Sequence, residues 1–265
     1  MSQRQSAKVL DNQPVGPSVY LLSLEAPAIA AAARPGQFVM LRVSPGPEPL
    51  LARPFSVHGV RGGKLLILYQ VVGKGTELLS RARPGQELLA WGPLGRGFGL
   101  EVERPALVAG GMGVAPLAFL AERLEERSAA FEAFYGLASR ETLTAWDPVS
   151  GEGAFYLEDW GWHGASEDGS QGHHGLATQP LEDWLERAGS PPGAVLACGP
   201  LPMLKAVAAI CAKRGLPCQV SLEAPMACGV GACLGCAIPA AGGGYLRACQ
   251  EGPVMDASTV DWDKV

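Results

Sequence analysis

Short aliphatic and β-branched runs, broken by turn residues, dominate the first part of the chain. Val19–Leu24, Phe38–Val43, Phe55–His58, Lys64–Val72 and Glu87–Trp91 read as strands, with Pro-Gly pairs at 35–36, 45–46 and 84–85 between them. This spacing predicts a small antiparallel, Greek-key-like β-barrel domain over residues 1–103. After Arg104 and Pro105 the period changes to an apolar strand at 106–109, a glycine turn, a helix over 114–126 and a strand at 131–135. Strand, helix, strand is the order of a parallel α/β sheet. A helix over 180–187, a buried strand at 195–197 and a helix over 201–214, with Leu204, Val207, Ala208 and Cys211 on one face, extend that domain over 104–215. The segment 161–175, rich in Gly, His, Ser and acidic residues, reads as an exposed loop, and His163, His173 and His174 as solvated surface. The remaining stretch, 216–265, is too short for a comfortable core of its own and is expected to need a staple.

Composition narrows the functional classes. Of 265 residues, 48% are hydrophobic and 18% charged, which describes a globular chain rather than a disordered one. A net charge of -5 offers no general attraction for nucleic acid or anionic lipid, so small molecules and proteins are the expected partners. Met1–Gln13 lacks the basic start and apolar run of a secretory signal, and no segment reaches the ~18–20 apolar residues of a membrane span. The expected location is the cytoplasm. Seven cysteines, four of them between 228 and 249, suit metal or cluster ligation better than a disulfide framework.

The most specific signal is Cys228-x4-Cys233-x2-Cys236 followed by Cys249 after twelve intervening residues, the plant-type order of ligands for a 2Fe-2S cluster. Gly229, Gly231 and Gly235 between the thiols let the loop close and turn backbone amides toward sulfur. A structural zinc site also takes four cysteines but usually draws them from two C-x2-C-like pairs, and only one such pair is present. A zinc-bound assembly module without enzymatic activity is therefore the competing reading.

Two further stretches face ligands. Arg53-Pro54-Phe55-Ser56 sets a forked cation, a flat apolar ring and a hydroxyl at a strand start, while Gly73–Thr76 opens a helix over 76–81 whose N-terminus suits a pyrophosphate. A simple glycine turn with Thr76 as helix N-cap is the plainer reading of the second, and the two can hold together. In the α/β half, Gly110, Gly111 and Gly113 follow an apolar strand and Pro116 suits the first turn of the next helix, a moderate dinucleotide signal. Cys198, Gly199 and Pro200 end a second strand at the carboxyl edge of the sheet, where open α/β sheets bind ligands. Ser139 and Arg140 suit a 2′-phosphate and Glu141 a ribose hydroxyl, which leaves NADP and NAD both open.

Taken together these residues resemble the ferredoxin-NADP reductase superfamily, with Arg53–Ser56 in the place of its flavin motif and Tyr69, Gln70, Gly75 and Thr76 in the place of its pyrophosphate stretch. The resemblance implies FAD held between barrel and α/β domain, with Cys198 beside the nicotinamide. It is closest to the electron-transfer subunits of NAD-dependent dihydroorotate dehydrogenases, through Val71–Ser80, Gly92–Phe98, Ala109–Leu117, Asp168–Thr178, Ser221–Cys236 and Ala248–Val254. Ala224-Pro225, Ala177, Gln179 and Gln250-Glu251 depart from that pattern without removing a proposed ligand. The resemblance implies a flavin and iron-sulfur oxidoreductase subunit that passes electrons between NAD(H), FAD and a 2Fe-2S cluster. Its expected partner is a flavin-bearing catalytic dehydrogenase subunit in a heterotetramer, serving oxidation of dihydroorotate in pyrimidine biosynthesis. A reductase subunit feeding a hydrogenase, ferredoxin or oxygenase is the alternative within the superfamily.

Overall fold

Alternation of buried and exposed positions builds the first sheet. The computed structural model describes residues 2–44, 46, 48–143 and 161–265, so Pro45 of the second expected turn lies outside the described residues. Gln3–Gly16 (β1) pairs antiparallel with Val19–Glu25 (β2) on one side and buries Ala7 and Val9. Pro27–Ala32 (α1) follows, with proline in its first turn, where a missing N–H costs nothing. Phe38–Arg42 (β3), Arg53–Ser56 (β4), Gly59–Arg61 (β5), Lys64–Gln70 (β6), the helix Lys74–Ser80 (α2) and Glu87–Leu94 (β7) complete the unit. The seven strands curl in the order β4-β3-β7-β1-β2-β6-β5, every pair antiparallel. β1, α1 and the short β5 are the elements of this unit that sequence reading missed. The polar side chains of β1 hide its pattern, and six residues are too few for helical periodicity to emerge.

The second sheet is a parallel stack. Ala106–Gly110 (β8), Glu132–Leu137 (β9), His163–Ser166 (β10), His173–His174 (β11), Val195–Cys198 (β12), Cys218–Ser221 (β13) and Val254–Asp256 (β16) lie in the order β11-β10-β9-β8-β12-β13-β16, with only β16 antiparallel. Val114–Glu126 (α3), Thr178–Arg187 (α4) and Leu201–Arg214 (α5) pack on it, and α5 stops at Gly215 in the left-handed conformation. The exposed-loop reading of 161–175 is corrected here, because β10 and β11 continue the parallel ladder from β9. Four residues of His, Gly, Ala and Ser carry little apolar pattern; main-chain pairing holds them. Ala237–Pro239 (β14) and Tyr245–Arg247 (β15) form a hairpin between β13 and β16.

The halves share one core at α3. Its Val114, Ala115, Leu117, Ala118, Leu120 and Ala121 pack on the sheet, while Phe119 is buried among barrel residues. A helix apolar on nearly every side is what a position between two layers demands. Burying Phe119 alone stabilises the junction by about 2 kcal/mol. His58 adds a polar pin through Nδ1 and the Ala115 carbonyl oxygen, 2.9 Å apart. Beyond residue 215 the chain does not withdraw from the sheet: β13 and β16 are sheet strands, and Cys236 and Cys249 share a core with Met40 and Leu94 of the barrel.

Candidate cofactor-binding site

The barrel, the α/β sheet and the last segment meet around a groove of 590 Å³, a size typical of small-molecule sites. Arg53, Pro54, Phe55, Ser56, Tyr69, Gln70 and Thr76 all line it, so β4, β6 and α2 bring the two flavin-type stretches onto one wall. Arg53 lies against the start of α2. A Cβ on Gly75 would stand 2.8 Å from Arg53 Nε, so glycine is what lets the guanidinium lie over the helix start. Arg53 Nη1 donates to the Leu51 carbonyl oxygen at 2.6 Å, which fixes its fork beside the groove. Thr76 uses its hydroxyl locally, accepting from the Val72 N–H at 2.9 Å and donating to the Gly73 carbonyl oxygen at 3.0 Å. Its side chain thus shapes the turn, as the cap reading anticipated, although Thr76 sits two residues inside α2 rather than at its start.

Tyr69 is anchored from behind. Its hydroxyl donates to Asn12 Oδ1 at 3.0 Å, and its ring stacks on Tyr20 and meets Phe55 edge-on. Burial pushes the phenol above its usual range, so it remains a neutral donor. The opposite wall is supplied by Met112 and Ala115 of the α/β half and by Ser221–Met226 with Pro253. Glu223 and Met226 were not named individually from sequence, although both lie in the Ser221–Cys236 stretch, and Pro225 was noted only as a departure from the family pattern. Their signal was membership of that stretch, immediately before the cysteine loop.

The glycine turn after β8 and the end of β12 touch each other. A Cβ on Gly113 would stand 2.0 Å from the Cys198 carbonyl oxygen, and one on Gly110 would stand 2.8 Å from Pro200 Cδ. A Cβ on Gly199 would likewise stand 2.9 Å from the Gly110 nitrogen. Gly111 alone of these faces open space, at φ +50°. Pro116 is buried within α3. Cys198 lies behind Ser221 in the β12–β13 ladder, where burial pushes its thiol up to about 12 and keeps it protonated at neutral pH. Ser139 and Arg140 follow β9 at the same carboxyl edge, and the Arg140 N–H donates to Ser170 Oγ at 2.8 Å. Asp168 joins them, accepting from the Ser170 N–H and hydroxyl, bonds that hold its carboxyl below the usual range.

The four thiols of the C-terminal loop fall into two pairs. Cys233 bonds to Cys228 through its backbone and its side chain, and Cys236 Sγ lies 3.2 Å from Cys249 Sγ. Gly229 and Gly231 take positive φ, as a tight loop needs, while Gly235 does not, and a Cβ there would make only ordinary contact. Although burial opposes it, amide donors from Val230, Cys233 and Ala232 hold the Cys228 thiol down to about 6. Burial, and Cys236 beside it, instead push Cys249 up to about 11. A cation placed between two thiols this close would favour their thiolate forms. Among the described residues no group of three or more His, Cys, Asp or Glu side chains is gathered into a metal site. A two-and-two arrangement fits a centre of two metal atoms, each taking two thiolates.

The loop is tied to its surroundings. Trp91 Nε1 on β7 donates to the Cys228 carbonyl oxygen at 3.2 Å, a partner that sequence gave no sign of. Leu50, Leu51, Val230 and Leu234 stand exposed, and the first three line a 470 Å³ hollow with Cys228 and Trp91. No helix among the described residues is long and apolar enough to cross a membrane.

Comparison with known proteins gives a consistent picture. Residues 223–261 match the model of the iron-sulfur cluster binding domain of dihydroorotate dehydrogenase B. The dihydroorotate dehydrogenase B (NAD(+)) electron transfer subunit of Desulforamulus reducens is 38% identical, with 99% of this chain and 100% of that protein aligned. The corresponding subunit of Clostridium acetobutylicum is 38% identical over 94% of this chain and 93% of its own length. Among solved structures, an NADH-dependent reduced ferredoxin-NADP oxidoreductase described in terms of flavin-based electron bifurcation superimposes with TM-score 0.83, at 27% identity over 97% of this chain and 90% of that one. A ferredoxin NADP+ reductase of Neisseria gonorrhoeae shares the fold, with TM-score 0.63 at 16% identity over 80% of this chain and 92% of that one.

Proposed function

The chain belongs to the family of dihydroorotate dehydrogenase B electron-transfer subunits, and from that premise we propose how its own residues serve the passage of electrons between a partner dehydrogenase and NAD. It is a flavin and iron-sulfur oxidoreductase subunit. FAD held beside Arg53–Ser56 and Tyr69 would supply two-electron exchange with NAD(H), and a 2Fe-2S cluster held by Cys228, Cys233, Cys236 and Cys249 would supply the one-electron steps.

Residues 1–103 hold the flavin, 104–215 the nicotinamide cofactor and 216–265 the cluster, with β13 and β16 anchoring the last segment in the sheet of the second. Arg53 offers its guanidinium to the flavin pyrophosphate over the start of α2, while Phe55, Ser56, Tyr69 and Gln70 shape the wall against the ring system. Gly110, Gly111, Gly113, Pro116, Cys198, Gly199 and Pro200 form the floor that receives the nicotinamide cofactor, and Cys198 stays a neutral thiol beside the flavin groove. Ser139 and Arg140 receive the adenosine ribose. Asp168 sets negative charge at that end, which favours a 2′-hydroxyl over a 2′-phosphate and so NAD over NADP. Cys228, Cys233, Cys236 and Cys249 ligate the cluster as two pairs.

The observation that carries this reading is continuity: Ser221–Met226 line the flavin groove and the next residues are the thiol loop, so the two centres are neighbours along one short stretch of chain. The exposed Leu51 and Val230, which line one hollow with Cys228, and the exposed Leu234 next to Cys233 in sequence make the face for the flavin-bearing catalytic subunit, in a cytoplasmic heterotetramer. Anaerobic purification followed by flavin, iron and acid-labile sulfide analysis tests it. One FAD and two irons with two sulfides per chain, bleached by NADH, is the expected result; one zinc without sulfide, or no flavin, sinks the proposal.

A further inference from the structure

Beside the thiol loop a chain of contacts runs through groups that are not ligands. Arg247 ends β15, and its side chain meets Glu251 as a fork, Nε donating to Oε2 at 3.1 Å and Nη2 to Oε1 at 2.5 Å. The Arg247 main-chain N–H donates to the same carboxylate at 2.7 Å. With two donors occupied, Nη1 turns the other way and reaches the Gly231 carbonyl oxygen at 3.4 Å. The N–H of Gly231 in turn donates to Cys249 Sγ at 3.1 Å. Gly231 is fitted to this place: its φ is +80°, and a Cβ would stand 2.7 Å from Gln250 Cγ and 3.3 Å from Arg247 Nη1.

The ion pair is too exposed to matter much for folding, its side chains being 38% and 32% accessible. Its geometry has another use. We infer that Arg247, clamped by Glu251, is a positioning residue that aims the Gly231 N–H at the Cys249 sulfur and thereby raises the reduction potential of the centre held by the four cysteines. This rests on the reading of those cysteines as cluster ligands. Reduction adds negative charge to the sulfurs, and a fixed N–H donor stabilises that charge more than it stabilises the oxidised state. Arginine is required because one planar group must hold a carboxylate on one side and a carbonyl on the other; an ammonium on a flexible stem fixes neither direction.

The test uses the full chain purified anaerobically with its cofactors, and reads iron, sulfide and FAD content together with the midpoint potential from an EPR-monitored redox titration. The variants are Arg247→Gln, Arg247→Lys and Glu251→Ala. All three are expected to shift the potential to more negative values with FAD content unchanged, and to release iron to a chelator several-fold faster than the wild type. A simple charge effect predicts otherwise: Glu251→Ala, which removes an anion, would shift the potential upward, and Arg247→Lys would leave it in place. Either outcome overturns the positioning role, as would wild-type potentials and chelation rates throughout. A wild-type chain that carries FAD but no iron and sulfide overturns the cluster reading itself, and this inference with it.

Discussion

The indole N–H of Trp91 donates to the main-chain oxygen of Cys228 across 3.2 Å, joining the seventh barrel strand to the first thiol of the C-terminal loop. The loop is thereby registered against the barrel that carries the flavin wall. Trp91→Phe keeps the ring and removes the donor. The expected cost is about 1 kcal/mol in stability, with faster loss of iron and full retention of FAD. Thermal melting and chelator kinetics read both effects, and unchanged iron release would show that the bond holds nothing in place.

Gly75→Ala puts a methyl group where Arg53 Nε lies 2.8 Å away. The guanidinium must move off the start of α2. FAD is expected to dissociate about tenfold more readily, close to 1.4 kcal/mol, with Arg53→Ala as the matching control. Flavin fluorescence on dilution measures it. Equal affinity in Gly75→Ala and wild type would remove Arg53 from the flavin site.

His58 gives the chain an acid-sensitive seam. Burial holds its imidazole down to about 4, against an ordinary value of 6.5, although the Ala115 carbonyl oxygen partly opposes this. Between those values the unfolded chain binds a proton that the folded chain refuses, so stability falls as pH drops from 7 toward 4, by up to about 3 kcal/mol. His58→Gln should flatten that part of the profile. Parallel wild-type and variant slopes of melting temperature against pH would contradict the assignment.

Cys233→Ser removes the one exposed thiol of the quartet. The chain is expected to lose iron and sulfide, keep FAD, and still reduce a two-electron acceptor with NADH. Full iron in this variant would show that the ligand set is wrong.

Asp168→Asn is expected to move preference from NADH toward NADPH, because it withdraws negative charge from the edge of the sheet where Arg140 and Ser170 meet. The ratio of kcat/KM values for the two cofactors is the measurement. An unchanged ratio would place the ribose elsewhere.

How much of this was legible beforehand depended on the kind of signal. Cysteine spacing and the Arg53–Ser56 motif are local; the structure sets Arg53–Ser56 along one groove and Cys236 against Cys249. Helices α3 and α5 carry enough turns for their periodicity to declare them. What escaped was long-range. β10 and β11 exist through main-chain pairing with β9, which His, Gly and Ser do not advertise. Trp91 meets Cys228 across 137 positions of sequence, and Glu223 belongs to the groove only because β13 ends there. A lone Trp or Glu in sequence carries no address.

Strands β13 and β16 bracket the thiol loop and are both sewn into the second, mostly parallel sheet, the first parallel to β12 and the second closing the edge. Such a loop cannot swing out on a tether as a mobile carrier would. On the proposed reading the relay would be stationary: the spacing between flavin and cluster would be set once, when the sheet forms, and any gating of electron flow would come from arrival of the partner or of the nicotinamide rather than from travel of the cluster.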